Sequence, residues 1–332
     1  MGSDMADPAL EKKKIIELLV PCYNEEQCIL IFQEEVTRVF KEMMPAYDYR
    51  IFYIDDGSKD KTLSLIRQVA DNDPEHVRYV SFSRNFGKES ALFVGFSKSI
   101  GDYVVPIDAD LQHPPTLLPK MAQALEEGHD CAAARRVSRK GEPKIRSAFS
   151  RAFYHVINRL TSVEMQPGST DFRMMKRPVV EALVSMSERE RFTKGMYSWV
   201  GFDTEWIEYE NVERAAGETK WSFSGLVKYA FNGIFAFAPT PLRSVIYLGM
   251  FVVFCSVLWG IQIFIKAARQ PYEERTGYAS IMLAVFLMGG IVIIILGVIG
   301  EYLAQIYQEV KRRPIYIVKE TNIEDTTPDR LI

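Results

Sequence analysis

Two stretches of this chain run for 22 residues each without a single charge. From Ser244 to Ile265 the sequence is SVIYLGMFVVFCSVLWGIQIFI, and from Ala279 to Gly300 it is ASIMLAVFLMGGIVIIILGVIG. An α-helix rises about 1.5 Å per residue, so roughly 20 apolar residues cross the hydrocarbon core of a bilayer. Neither stretch has a polar face, so two membrane spans fit better than two buried helices of a soluble domain. The mixed-charge segment between them, KAARQPYEERTGY, holds Pro271 and Gly277 and turns the pair into a helical hairpin. Composition hides this. The 332 residues balance 40 Lys+Arg against 43 Asp+Glu, for a net charge of -3, and the mean hydropathy is -0.06. Such averages describe an ordinary globular chain, and the missing basic excess speaks against a nucleic-acid partner. Four scattered cysteines with no CxxC pair suggest neither a zinc site nor a disulfide framework.

Flanking cations lean towards a cytoplasmic catalytic domain. Lys228 and Arg243 precede the first span, and Lys311, Arg312 and Arg313 follow the second. The opening MGSDMADPALEKKK has no apolar signal region. Just before the first span, aromatic and apolar residues mixed with Lys228 and Arg243 predict an amphipathic helix in the membrane interface, ended by Pro239 and Pro241. The expected organisation is a flexible terminus over 1–14, a catalytic domain over 15–221, and a juxtamembrane segment over 222–243. A two-helix hairpin over 244–302 and a cytoplasmic tail over 303–332 complete it.

The polar part alternates strand and helix. IIELLVPCYN, YRIFYIDDGS, VRYVSFS and DYVVPIDAD read as short buried strands. Segments at helical spacing, such as Glu25 to Met43 with Ile29, Phe32, Val36, Val39 and Phe40, separate them. This pattern predicts an α/β fold around a mainly parallel sheet, with ligands bound beyond the carboxyl ends of the strands. Acids gather there: Glu25 after the first strand, Asp55 and Asp56 after the second, Asp108 and Asp110 after the fourth. No GxGxxG follows the first strand, so a dinucleotide is not indicated. In Asp108-Ala109-Asp110-Leu111-Gln112, extended backbone would put three oxygen-bearing side chains on one face. Hard oxygen ligands of that kind suit Mg²⁺ or Mn²⁺ bridged to substrate phosphates. His113 and Cys22 read as packing residues.

PCYNEE, IDDGSKDKT, SFSRNFGKESALFVGF and PIDADLQHPP, in this order and spacing, resemble the family 2 nucleotide-sugar glycosyltransferases. TDFRMMKR, RFTKGMYSWVGF, ERAAGETKWSF and the two spans narrow the resemblance to bacterial polyprenyl-phosphate hexosyltransferases of the bactoprenol glucosyltransferase type, with dolichyl-phosphate mannose synthase more distant. The resemblance implies a GT-A (Rossmann-like) domain followed by an interfacial helix and two transmembrane helices. It implies inverting transfer of a hexose, glucose or N-acetylglucosamine, from a UDP-sugar to undecaprenyl phosphate at the cytoplasmic membrane face. Pro21, Tyr23, Glu25, Asp55 and Asp56 match nucleoside-binding positions; Asp108, Ala109, Asp110 and Gln112 match metal and diphosphate positions. Lys88 falls where donor contacts are expected, and Asp171 where a catalytic carboxylate has its place. Arg135, Arg146, Ser150, Arg214 and Lys220 match positions for the lipid phosphate. Relatives further suggest a tetramer. The alternatives are transfer from GDP-mannose, or a catalytically silent membrane scaffold. Processive relatives usually carry QxxRW, which is missing here.

Overall fold

The computed structural model describes residues 13–137, 166, 168–186, 188–189, 191–210, 240–269 and 277–324. Arg146, Ser150, Arg214 and Lys220 lie outside the described residues, as does most of the segment read as interfacial.

The sequence alternation becomes an eight-stranded sheet. The strands are β1 (Ile15–Cys22), β2 (Asp48–Asp55), β3 (Val77–Phe82), β4 (Tyr103–Pro106), β5 (Cys131–Arg136), β6 (Ser169–Lys176), β7 (Thr204–Tyr209) and β8 (Val318–Thr321). Their order is β7-β5-β6-β4-β1-β2-β3-β8. The heart is parallel, with β1 between β2 and β4 and β3 beside β2. The sheet as a whole is mixed, because β6 runs antiparallel to β4 and β5, and β8 antiparallel to β3. Helices α1 (Ile29–Met43), α2 (Thr62–Asn72), α3 (Lys88–Lys98), α4 (Leu118–Glu126), α5 (Arg177–Ser185) and α6 (Thr193–Trp199) cover it.

Both faces of the sheet are buried, which is why its central strands are apolar runs rather than alternating ones. Ile16, Leu18 and Val20 of β1 point into one core layer, with Phe32 and Val36 of α1, Ile66 of α2 and Met121 of α4. Leu19 of β1, with Phe52 and Ile54 of β2, points into the other, against Leu92 and Phe96 of α3, Val180 of α5 and Met196 of α6. Glu17 interrupts the first run and is fully buried, yet it is satisfied. It meets Arg78 at 2.7 Å and accepts the backbone N–H groups of Ile100 and Gly101 at 2.5 and 2.8 Å. These bonds lie at the end of the sheet away from the acidic strand ends, so Glu17 belongs to the architecture.

Two long helices follow, α7 (Thr240–Arg269) of 30 residues and α8 (Tyr278–Lys311) of 34. Pro241 stands in the first turn of α7, a position where its missing N–H costs nothing. The helix therefore begins at Thr240, before the apolar run proper. Ala284–Lys311 is long and apolar enough to cross a membrane and is not buried within the protein; in α7 the apolar stretch is the shorter Gly249–Gln262. The chain then returns to the sheet. The segment read as a tail contributes β8, which pairs with β3 by Val80↔Thr321, Ser81↔Glu320 and Phe82↔Val318. Arg67 of α2 donates from Nε to Glu320 at 2.7 Å, and the Asn322 side chain accepts the Tyr79 N–H at 2.7 Å. Four residues of period-2 sequence are too few to read as a strand without the edge they join.

Candidate active site

The carboxyl ends of β1, β2, β3 and β4 carry the functional candidates, as the alternation predicted. A cavity of about 410 Å³ opens over β2 and β3, lined by Tyr23, Asp55, Gly57, Ser81, Arg84 and Lys319 among others. Asp55 ends β2 and is 1% exposed. Its Oδ1 accepts the Ser58 N–H at 3.0 Å and its Oδ2 the Ser81 hydroxyl at 2.7 Å. Gly57 has a φ of +67°, and a Cβ there would stand 2.3 Å from the Arg84 carbonyl carbon. Only glycine lets the two loops close this tightly.

Asp56 points the other way and accepts the N–H groups of Phe86 and Gly87 at 2.6 and 2.9 Å. Burial pushes its carboxyl up to about 6, against those two amides, which favour the charged form. Asp56 thus pins the two residues before α3, and Lys88 is the first residue of that helix.

Lys88 joins strand ends that the sequence leaves 63 residues apart, at Asp108 and Asp171. Its Nζ lies 2.6 Å from Asp108 and 3.1 Å from Asp171. Burial alone would lower the Lys88 pKa, but the two carboxylates outweigh it and hold the ammonium above its ordinary value. The converse holds for Asp171. Burial would raise its carboxyl, but Lys88 and then Lys194 keep it well below the usual carboxylate range. Asp108 is lowered in the same way, by Lys88 against burial. His113 lies against this group, packed on Phe172 and Tyr209, and burial pulls it down to about 4.

The Asp108 segment departs from the geometry expected of it. Strand β4 stops at Pro106, and the chain turns over 109–113, with Leu111 in the left-handed region at φ 57°. Asp110 is 7% exposed, and its Oδ1 accepts the Gln112 N–H at 3.1 Å. Alternate side chains therefore do not share one extended face, and Asp108 reaches Lys88 while Asp110 folds over its own turn. Among the described residues no three His, Cys, Asp or Glu side chains converge where a metal ion could sit. Ala109 is buried between the two acids. Pro21 lies within β1, and the Glu25 N–H is held by the Thr62 hydroxyl at 2.7 Å. Arg135, next to last in β5, is paired with Glu208. Sequence reasoning gave no role to Ser81 and Arg84 within SFSRNFGKESALFVGF or to Lys194 within RFTKGMYSWVGF, and Lys319, which also lines the cavity, lies outside every motif.

Two family models cover most of the chain. Residues 17–184 match the glycosyl transferase family 2 model, and residues 240–306 match the GtrB C-terminal hairpin. The chain belongs to glycosyl transferase family 2. This glycosyltransferase is 42% identical to the putative glycosyltransferase CsbB of Bacillus subtilis, over 94% of this chain and 93% of that one. It is 40% identical to the SfII prophage-derived bactoprenol glucosyl transferase of Shigella flexneri, over 92% of this chain and 98% of that one. Likeness to solved structures is looser: TM-score 0.46 and 18% identity to the mannosyltransferase PcManGT from Pyrobaculum calidifontis, covering 90% of this chain and 85% of that one. A family 2 glycosyltransferase is an enzyme, so a silent scaffold is not its place.

Proposed function

We propose that this glycosyltransferase moves a hexose, glucose before N-acetylglucosamine, from a UDP-sugar to a polyprenyl phosphate at the cytoplasmic membrane face, with inversion. One observation carries the reading: identity of 40% to a bactoprenol glucosyl transferase runs through the catalytic domain and the hairpin alike, over 92% of this chain. An acceptor with a long apolar tail calls for a catalytic domain held at the bilayer, and α7 and α8 are read as its two spans.

The chemistry follows from charge. The bond from the anomeric carbon to the diphosphate breaks, a bond from that carbon to an acceptor phosphate oxygen forms, and UDP leaves. The acceptor oxygen is already anionic near neutral pH, so no proton has to be removed. Asp171, held as a carboxylate by Lys88 and Lys194, is a weak base suited to orienting the substrates rather than deprotonating one. What the reaction needs is positive charge beside the departing diphosphate and an acceptor held in line. Lys88 supplies the first in part. Its placement between two carboxylates 2.6 and 3.1 Å away supports the reading that this is where a cation and the diphosphate meet. Asp108, which faces that locus, is assigned with Asp110 and Gln112 of the turn that follows it to Mg²⁺ or Mn²⁺, and such an ion would neutralise diphosphate charge. Because Mg²⁺ binds through one or two carboxylates plus phosphates and water, a sparse protein donor set fits it. Tyr23 and Asp55 line the cavity assigned to the nucleoside, Pro21 of β1 and Glu25 just after it are assigned to the same half of the donor, and Asp56 fixes the loop carrying Lys88. Arg135, with Arg146, Ser150, Arg214 and Lys220, is assigned to the acceptor phosphate, where Arg makes bidentate contacts. A tetramer is part of the same proposal.

The test is a panel of labelled nucleotide sugars offered to the membrane-embedded enzyme with undecaprenyl phosphate. A labelled lipid formed from UDP-glucose, with UDP released only when the lipid phosphate and a divalent ion are present, is expected. GDP-mannose as the sole productive donor, or no lipid product from any donor, would sink the proposal.

A further inference from the structure

We infer that Lys319, delivered by the strand that follows the second long helix, is a donor-binding residue that contacts the nucleoside half of the nucleotide sugar. The inference rests on the UDP-sugar reading above. In the β3–β8 ladder Ser81 pairs with Glu320 and Phe82 with Val318, so the register slips and Lys319 has no partner opposite it. Such a bulge frees one side chain from the sheet and re-aims it. Here it lines the same cavity as Tyr23, Asp55 and Ser81.

The strand around it is firmly held, so the placement of Lys319 is not that of a loose tail. The Ser83 N–H donates to the Ile317 carbonyl at 2.9 Å, and Tyr316 stacks on Phe82 with ring centroids 5.4 Å apart. Glu320 is bound by Arg67, and Asn322 brackets β3 through the Tyr79 N–H and the Val77 carbonyl. Each neighbour of Lys319 thus has a structural bond, while Lys319 itself is exposed and lines the cavity. Asp108, Asp171 and Lys88 are not part of this cavity, so the diphosphate end of a donor has its own place. What fits beside Tyr23 and the Ser81 hydroxyl is a ring with carbonyl acceptors and ribose hydroxyls. A uracil edge offers two carbonyl oxygens, and an ammonium donates to either. A family model that ends at residue 184 does not reach this position. Since β8 follows α8 by only six residues, the wall of the donor pocket is tied directly to the membrane helix.

The experiment titrates UDP and free uridine into the detergent-solubilised full chain, comparing the native protein with Lys319→Met and Lys319→Arg. Met keeps the apolar stem and removes the charge. Lys319→Met is expected to weaken both ligands by the same factor, roughly three- to tenfold for one charged hydrogen bond. Lys319→Arg should recover most of it, the melting temperature should hold, and KM for the lipid phosphate should be unchanged. Unaltered affinity in Lys319→Met overturns the inference. So does a loss confined to UDP, which would mean a phosphate contact, or a lowered melting temperature that Arg does not restore, which would mean a structural lysine. If the native chain binds neither UDP nor uridine, the UDP-sugar reading itself falls; if it binds both and only the variants fail to differ, that reading stands and Lys319 alone is wrong.

Discussion

At the scale of single residues, the site is a balance of three charges. Lys88 keeps Asp108 and Asp171 from repelling one another, so replacing it does more than delete a donor contact. Lys88→Met is expected to lower turnover by roughly a hundredfold, the order seen when one preorganised electrostatic group is lost, with a smaller effect on uridine affinity; near-native kcat would remove Lys88 from the chemistry. Asp56 offers a pH test. Its folded pKa of about 6 lies above the ordinary Asp value of 3.8, so the folded state holds a proton that the unfolded chain releases between those values. The group therefore costs stability as pH rises from about 4 to 6, and the cost vanishes below that window. Asp56→Asn removes the dependence. Relative to the native chain, the variant should gain up to about 3 kcal/mol between pH 4 and pH 7, whatever its constant offset from a weaker clamp on Phe86 and Gly87. Melts at four or five pH values would show it, and parallel curves would refute it.

At the scale of elements, the loops after the strands matter more than the strands. The strand ends were legible because apolar runs stop at acids and glycines, and the helices because their apolar spacing is regular. The turn at 109–113 was not. D-A-D reads equally well as the end of a strand, and only the backbone, with Leu111 at φ 57°, shows that the chain turns here instead of staying extended. Gly57 makes a sharper case. At φ +67° with the Arg84 backbone 2.3 Å from any added Cβ, Gly57→Ala must both strain its own residue, by about 1–2 kcal/mol, and push the Arg84 loop away. We expect a stability loss of about 2 kcal/mol or more together with weaker UDP binding. A variant that binds UDP normally would show that the loop contact does not shape the cavity.

At the scale of the whole molecule, the chain leaves its sheet, runs through two long helices and comes back. The GtrB C-terminal hairpin match over 240–306 and the exposed apolar surface of α8 make the bilayer the expected partner of that excursion. Ile293, 71% exposed in α8, stands near the middle of the run. Ile293→Arg should cost about 3 kcal/mol of insertion energy and reduce the fraction of chain retained in membranes after alkaline carbonate washing; undiminished retention would mean that α8 does not meet lipid there.

Local chemistry written along the chain was enough to establish the alternating α/β domain, the charge-free runs, the acids at the strand ends and the family motifs. Each depends on neighbours within a few residues: a period, a turn former, a run without charge. Tertiary structure alone decided which distant groups meet. It brought Lys88 between Asp108 and Asp171, set Ser81 under Asp55, folded Glu17 onto Arg78 in the core, and returned the chain after α8 to the edge of β3. Those contacts join residues tens to hundreds of positions apart, and their worth comes from burial and distance, which only a packed sheet creates.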